Sequence, residues 1–175
     1  DCPNLLFEIC NEPNGEGINW DDIIRPYCVE LTETIRPLAP DTIIIAGTAT
    51  WSQDVHDAVS NPLPDKNTVY AVHYYAATHK QNLRDRVKAC CELGFPILIS
   101  EFGVCDASGD GINDFEEATL WFNLLDELQI GYINWAYGNK KEACCVFLPT
   151  TDLGKGNWTD EELNESGRFI KKFFA

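Results

Sequence analysis

Methionine is absent from the 175 residues, histidine occurs three times, and lysine plus arginine number 13 against 28 aspartates and glutamates. The resulting net charge of −15 repels phosphate backbones and anionic membrane surfaces, which excludes a nucleic-acid role and a membrane-surface role. No apolar run approaches the roughly 18 residues of a membrane span. The amino-terminal DCPNLLFEIC has neither a basic flank nor an extended apolar core. The chain therefore reads as already processed or cut from something longer, and the missing methionine is either chance or a sign that the initiating segment lies outside it. Internal repeats, low-complexity tracts and linkers are lacking too, which gives one domain over 1–175. With 45% hydrophobic residues there is enough apolar side chain for a core, and disorder is excluded.

Eight cysteines, at 2, 10, 28, 90, 91, 105, 144 and 145, form no CxxC spacing, which argues against structural zinc and leaves no metal site. The even count in an acidic chain suits a secreted, extracellular protein with some disulfides; free buried thiols are the rival reading, and connectivity stays open. Asn157-Trp158-Thr159 and Asn164-Glu165-Ser166 are glycosylation sequons.

What is present is an alternation of short apolar runs with longer amphipathic stretches, the pattern of parallel strands each followed by a helix. Strands are expected at Leu5–Cys10, Thr42–Gly47, Val69–Tyr74, Ile97–Phe102 and Tyr132–Ala136. Asp22–Ile35 puts Ile24, Tyr27, Cys28, Leu31 and Ile35 on one helical face, and Pro37 ends it. A second helix buries Leu83, Val87 and Cys90 and stops at Gly94. Asp114 with Glu117 starts a third, ahead of Ala118, Phe122 and Leu125, and Thr159 with Glu162 starts a fourth, ahead of Leu163, Ile170 and Phe174. Trp51–Val59 is expected to be a short helix. Five strand–helix units are too few for a complete eight-unit barrel, which takes about 250 residues, so the fold class is α/β, an open or partial (β/α)8 barrel with a parallel curved sheet.

Chemistry-bearing residues gather just beyond the carboxyl ends of these strands: Asn11, Glu12 and Pro13, then Trp51, then His73 and Tyr75, then Glu101, then Trp135. That edge is where parallel α/β folds assemble active sites. Two carboxylates suit glycoside hydrolysis, in which one protonates the leaving oxygen and the other attacks or assists at the anomeric carbon. Indole faces stack on sugar rings. Glu12 and Glu101 stand three strand spacings apart, roughly 14 Å in a flat sheet at about 4.8 Å each, whereas retaining chemistry requires about 5 to 5.5 Å, so activity requires a barrel-like arc. Strand alternation also turns Glu8 inward with Glu12, and a buried carboxylate needs a partner that the sequence does not name.

FEICNEPNG, IIIAGTATWSQD, VYAVHYYAATH, ILISEFGVCDASGDG and GYINWAYGNK resemble, in that order, strands four to eight of a glycoside hydrolase family 5 endo-β-1,4-glucanase. The likeness covers nearly the whole chain; nothing corresponds to that family's first three strand–helix units. It implies retaining, endo-acting cleavage of β-1,4-glucan (cellulose, carboxymethyl-cellulose or mixed-linkage glucan) without a cofactor. Glu12 is then the acid/base and Glu101 the nucleophile. Asn11 bonds the sugar 2-hydroxyl, His73 and Tyr75 support nucleophile and sugar, and Trp135 floors the cleavage subsite. Trp51 is assigned to sugar stacking on its own aromatic character. Two alternatives stand beside this reading: a non-catalytic carbohydrate-binding remnant, and a fragment of a split or longer cellulase.

Trp121 falls within a helix and is expected in the core; Trp20 and Trp158 fall on loops without an assigned role, and His56 and His79 on surface or loop positions. Asp106–Glu117 nearly matches a calcium loop, but a strand precedes it where a helix is required, so it reads as a strand-to-helix loop whose carboxylates cap the helix. The edges of an incomplete barrel are apolar and carry almost no charge, from which a homodimer covering the open side is expected.

Overall fold

Pairing between short β-branched runs builds the framework, seen in a computed structural model that describes residues 4–174. The five parallel strands are β1 (Phe7–Glu8), β2 (Ile44–Ala46), β3 (Thr68–Tyr75), β4 (Ile97–Gly103) and β5 (Tyr132–Asn134), hydrogen-bonded in chain order. β3 and β4 match the expected runs closely, whereas β1, β2 and β5 are shorter than expected. Beyond β5, the Ala136 amide turns to the Cys144 carbonyl at 3.0 Å, which takes the backbone out of the ladder. Cys2 lies outside the described residues.

The chain divides into two compact units, one running to His73 and resuming at Asp85–Ser100, the other comprising Tyr74–Arg84 and the chain from Glu101 onward. The first holds β1, β2 and the leading parts of β3 and β4. Phe7 pairs with Ile44, and Ile44 with Thr68, in parallel register. The expected Asp22–Ile35 helix is in two pieces, a π-helical turn over Trp20–Ile24 and an α-helix, α1, over Arg25–Ile35 with Pro26 in its first turn. Asn19 caps the turn by accepting from the Asp22 amide at 2.8 Å. Ile24 and Cys28 are buried as the periodicity requires, but Tyr27 is largely exposed, because its hydroxyl reaches out to the Ile9 carbonyl at 3.1 Å. Trp20 is core: it packs edge-on against Tyr70, which stacks on Phe95, and its indole N–H donates to the Asn61 carbonyl at 2.9 Å. Arg36 closes the loop before β3 with a two-pronged bond to Asp65 at 2.7 and 2.8 Å.

In the second unit the helix Phe115–Glu127 is capped by Asp114, which accepts from the Glu117 amide at 3.1 Å, as the sequence indicates. Ala118, Trp121, Phe122 and Leu125 are buried, and Trp121 stacks on Tyr74 with centroids 4.0 Å apart. Buried Arg84 lies 5.7 Å over the Trp121 ring and donates to Glu117 at 2.6 Å, so its charge is matched. The Thr159–Glu162 box closes only a 3-10 turn over Asp160–Glu162. Leu163 is extended and bridges to Phe147, and the helix Glu165–Ile170 takes a new cap at Asn164, so the fourth helix starts later than the sequence suggests.

Candidate active site

Small side chains let the ends of β1 and β2 close on one another in the first unit. A Cβ on Gly47 would collide with the Cys10 carbonyl oxygen, so only glycine fits there. The chain then reverses through Thr50, Trp51 and Ser52, all left-handed, with φ of 55°, 54° and 57°. The sequence pattern leads to a short helix over Trp51–Val59. Instead the segment comprises this left-handed turn and a 3-10 turn over Val55–Ala58. Non-glycine residues in this region cost on the order of 1 to 3 kcal/mol each and persist only where neighbours impose them. Here the Trp51 amide donates to the Pro13 carbonyl at 3.3 Å, the Ser52 hydroxyl to the Asn11 carbonyl at 2.8 Å, and Thr50 to Asp54 at 2.5 Å. The turn is thus tied to the segment carrying Asn11 and Glu12, with the Trp51 indole 50% exposed beside it.

His73, 2% exposed, links two carboxylates within this unit. Its Nδ1 lies 2.9 Å from Glu12 Oε1 and its Nε2 lies 2.9 Å from Ser100 Oγ, which donates to Glu8 Oε1 at 2.8 Å. Glu8, expected to be buried, is instead exposed, and its carboxylate takes Ser100 as partner with His73 Nε2 at 3.5 Å. Ser100 directly precedes Glu101 on β4 and was passed over in favour of that glutamate; a polar residue in an otherwise apolar run was the available signal. Since the Ser100 hydrogen goes to Glu8, its oxygen accepts from His73 Nε2–H. Nδ1 is thereby aimed at Glu12 Oε1, so the imidazole is held between Glu12 and the Ser100–Glu8 pair.

In the second unit Tyr75 donates its hydroxyl to Glu101 Oε1 at 2.8 Å. Burial first, and the Glu101 carboxylate second, push the phenol well above its ordinary range, so it stays a donor. The ring lies over Gly103, where a Cβ would come within 2.5 Å of it. His79, in the turn after β3, accepts from the Tyr75 amide at 2.8 Å, which fixes the backbone carrying the phenol. Trp135 follows β5, held by its amide to the Phe102 carbonyl at 2.8 Å, with its side chain 52% exposed. The Asp106–Glu117 segment is a strand-to-helix loop with Asp114 as its helix cap. A separate group in this unit, Glu142, Cys144 and Cys145, places potential ligand atoms within 4.8 Å of one another.

The chain is 46% identical over 170 residues to endoglucanase N of Pectobacterium atrosepticum, covering 97% of this chain and 38% of the relative. It is 43% identical over 172 residues to endoglucanase A of Evansella cellulosilytica, covering 98% of this chain and 35% of that protein. It therefore spans little more than a third of the length of these relatives. The catalytic domain of Thermobifida fusca endoglucanase Cel5A superposes with a TM-score of 0.90 at 36% identity, over 98% of this chain and 58% of that one. A glutamate-to-glutamine variant of the same domain, in complex with cellotetraose, superposes equally well with a TM-score of 0.90. The fold is accordingly a partial (β/α)8 barrel. With residues 1–141 also matching the model of the cellulase family, and the expected strand-end motifs in place, the chain belongs to that family, glycosyl hydrolase family 5.

Proposed function

We propose that this chain carries the two catalytic carboxyls of a retaining endo-β-1,4-glucanase. Glu12 protonates the glycosidic oxygen while the ionised Glu101 attacks the anomeric carbon, so that the bond to the leaving sugar breaks as the ester to Glu101 forms. Glu12, now ionised, takes a proton from water, whose oxygen displaces Glu101 and releases the product. The observation that carries the reading is the bond between His73 Nδ1 and Glu12, backed by the Ser100–Glu8 relay, because it holds the Glu12 carboxyl beside a group able to exchange a proton with it. The Tyr75 bond supports the complementary state of Glu101, since a donor at 2.8 Å stabilises the ionised carboxylate. Half-exposed Trp51 and Trp135 offer stacking faces for pyranose rings, and Asn11, on the exposed segment before Glu12, supplies an amide for a sugar hydroxyl. The substrate class is β-glucan, in keeping with the cellotetraose complex of the Thermobifida fusca domain.

Reducing-sugar release from carboxymethyl-cellulose tests this directly. The parent should hydrolyse it, and Glu101→Gln should lose turnover while still binding cello-oligosaccharide, because only the nucleophilic charge is removed. Proton NMR of the first product should show the β-anomer; an initial α signal would mean an inverting pair with room for water between the carboxyls. A parent chain that binds cellulose without releasing sugar would establish the binding-remnant reading instead.

A further inference from the structure

Cys144 and Cys145 are adjacent in sequence, yet each is only 1% exposed, and both belong to one buried cluster with Cys105 and Tyr75. Backbone bonds hold this stretch from several sides. Cys144 N donates to the Gly109 carbonyl at 2.9 Å, Ala143 N to Asp110 Oδ1 at 3.1 Å, and Cys145 N to the Glu142 carbonyl at 3.2 Å. The Cys145 carbonyl accepts from Ser166 Oγ at 3.0 Å and from the Asn164 side-chain Nδ2. The backbone carrying the two thiols is therefore set by the fold before any ligand arrives, a condition for a built metal site.

We propose that Glu142, Cys144 and Cys145 bind a thiophilic divalent cation of the zinc type, with Cys105 of the same cluster completing a set of four donors. The ligand atoms of the first three lie within 4.8 Å of one another, and Cys144 Sγ is 3.9 Å from Glu142 Oε2. Tetrahedral zinc, with bonds of about 2.3 Å to sulfur and 2.1 Å to a carboxylate, sets donors roughly 3.6 to 3.8 Å apart, so Glu142, Cys144 and Cys145 need a contraction of about an ångström, and Cys105 joins them by a side-chain movement within the cluster. Two or three thiolates select zinc or cobalt(II) over the calcium and magnesium that oxygen-only sites take. The rival for Glu142 is Lys140, 3.6 Å away; both ends are open to water, so that pair is weak and readily exchanged for a coordinated ion. The CxxC rule misses this group because its spacing is that of a vicinal pair, joined by a thiol from the end of β4.

The site lies behind Tyr75, the residue that bonds Glu101, but the proposal stands independently of the glucanase reading because its readout is metal binding. The reduced full-length chain, freed of metal with a chelator, is titrated with cobalt(II). The expected result is one cobalt per chain with intense near-ultraviolet thiolate-to-cobalt absorption, displaced by one equivalent of zinc. The band should vanish in Cys144→Ser/Cys145→Ser and persist in Cys28→Ser and Cys90→Ser. Glu142→Gln alters only the partly exposed ligand, should keep the near-ultraviolet circular dichroism of the parent, and should bind cobalt about tenfold more weakly or worse. Absence of the thiolate band in the folded parent, or unchanged affinity in Glu142→Gln, would overturn the proposal. So would an intact mass showing a disulfide among Cys105, Cys144 and Cys145 in the purified protein.

Discussion

Tyr75 and Glu101, neighbours on adjacent strands of the second unit, share a hydrogen bond of 2.8 Å in which the phenol is the donor. Glycine at 103 is what allows it, since any Cβ there would strike the Tyr75 ring. The phenol thus holds the carboxylate in place.

Tyr75→Phe keeps the ring and removes the donor. A hydrogen bond to a charged group contributes about 1.5 to 3 kcal/mol, so hydrolysis of carboxymethyl-cellulose should fall roughly ten- to hundredfold with the fold intact. A parental rate would show that Glu101 needs no such support.

Ser100→Ala breaks the relay between Glu8 and His73 without touching either proposed catalytic carboxyl. If the relay orients His73 against Glu12 for acid catalysis, kcat should drop about tenfold on substrates with poor leaving groups and stay near the parent value on activated aryl glycosides. An equal loss on both would point to a structural role for the serine.

Asp65 is a stability probe remote from these carboxyls. Burial tends to raise its carboxyl, but bonds from Arg36, the Asn67 amide and Thr68, with the Arg36 charge, outweigh that and hold it below the usual carboxylate range. A depressed folded-state pKa contributes stability that is present above the unfolded value, near 3.9, and lost as pH falls through the folded one. Asp65→Asn should therefore be less stable than the parent by about 1 to 2 kcal/mol at pH 7, with the gap shrinking as the pH drops below about 4. A gap that stays constant down to pH 2 in urea titrations would show that the charge is not its source.

Self-association is the expected behaviour of the 175-residue chain by itself, and a homodimer remains our proposal. Among the described residues β1 and β5 each have one strand neighbour. Leu5 and Leu6 before β1, and Ile133, Tyr137 and Phe174 around β5, are all more than two-fifths exposed. In the second unit Ile133, Tyr137, Trp158 and Phe174 also line an apolar cavity of about 510 Å³. Unpaired apolar edges of this kind favour association. Sedimentation at micromolar concentration should give about twice the 19.7 kDa chain mass; a monomer persisting at that concentration would refute it.

Strand positions, the buried faces of the Phe115–Glu127 and Gln81–Glu92 helices, the Gly94 stop and the order of the strand-end motifs were all legible in the chain, because periodicity, capping and turn chemistry are properties of neighbours a few residues apart. The same local rules, applied to Trp51, return a short helix. They fail because the left-handed turn is imposed by bonds to Asn11 and Pro13, about forty residues earlier. The partner of Glu8 was illegible for the same reason: Ser100 stands 92 residues away. So was the meeting of Cys105 with the vicinal pair. Sequence by itself determined which segments would be strands and which residue types would stand at their ends; tertiary structure alone decided which side chain answers which, since a hydrogen bond or a ligand set depends on distances of a few ångströms that only the folded chain defines.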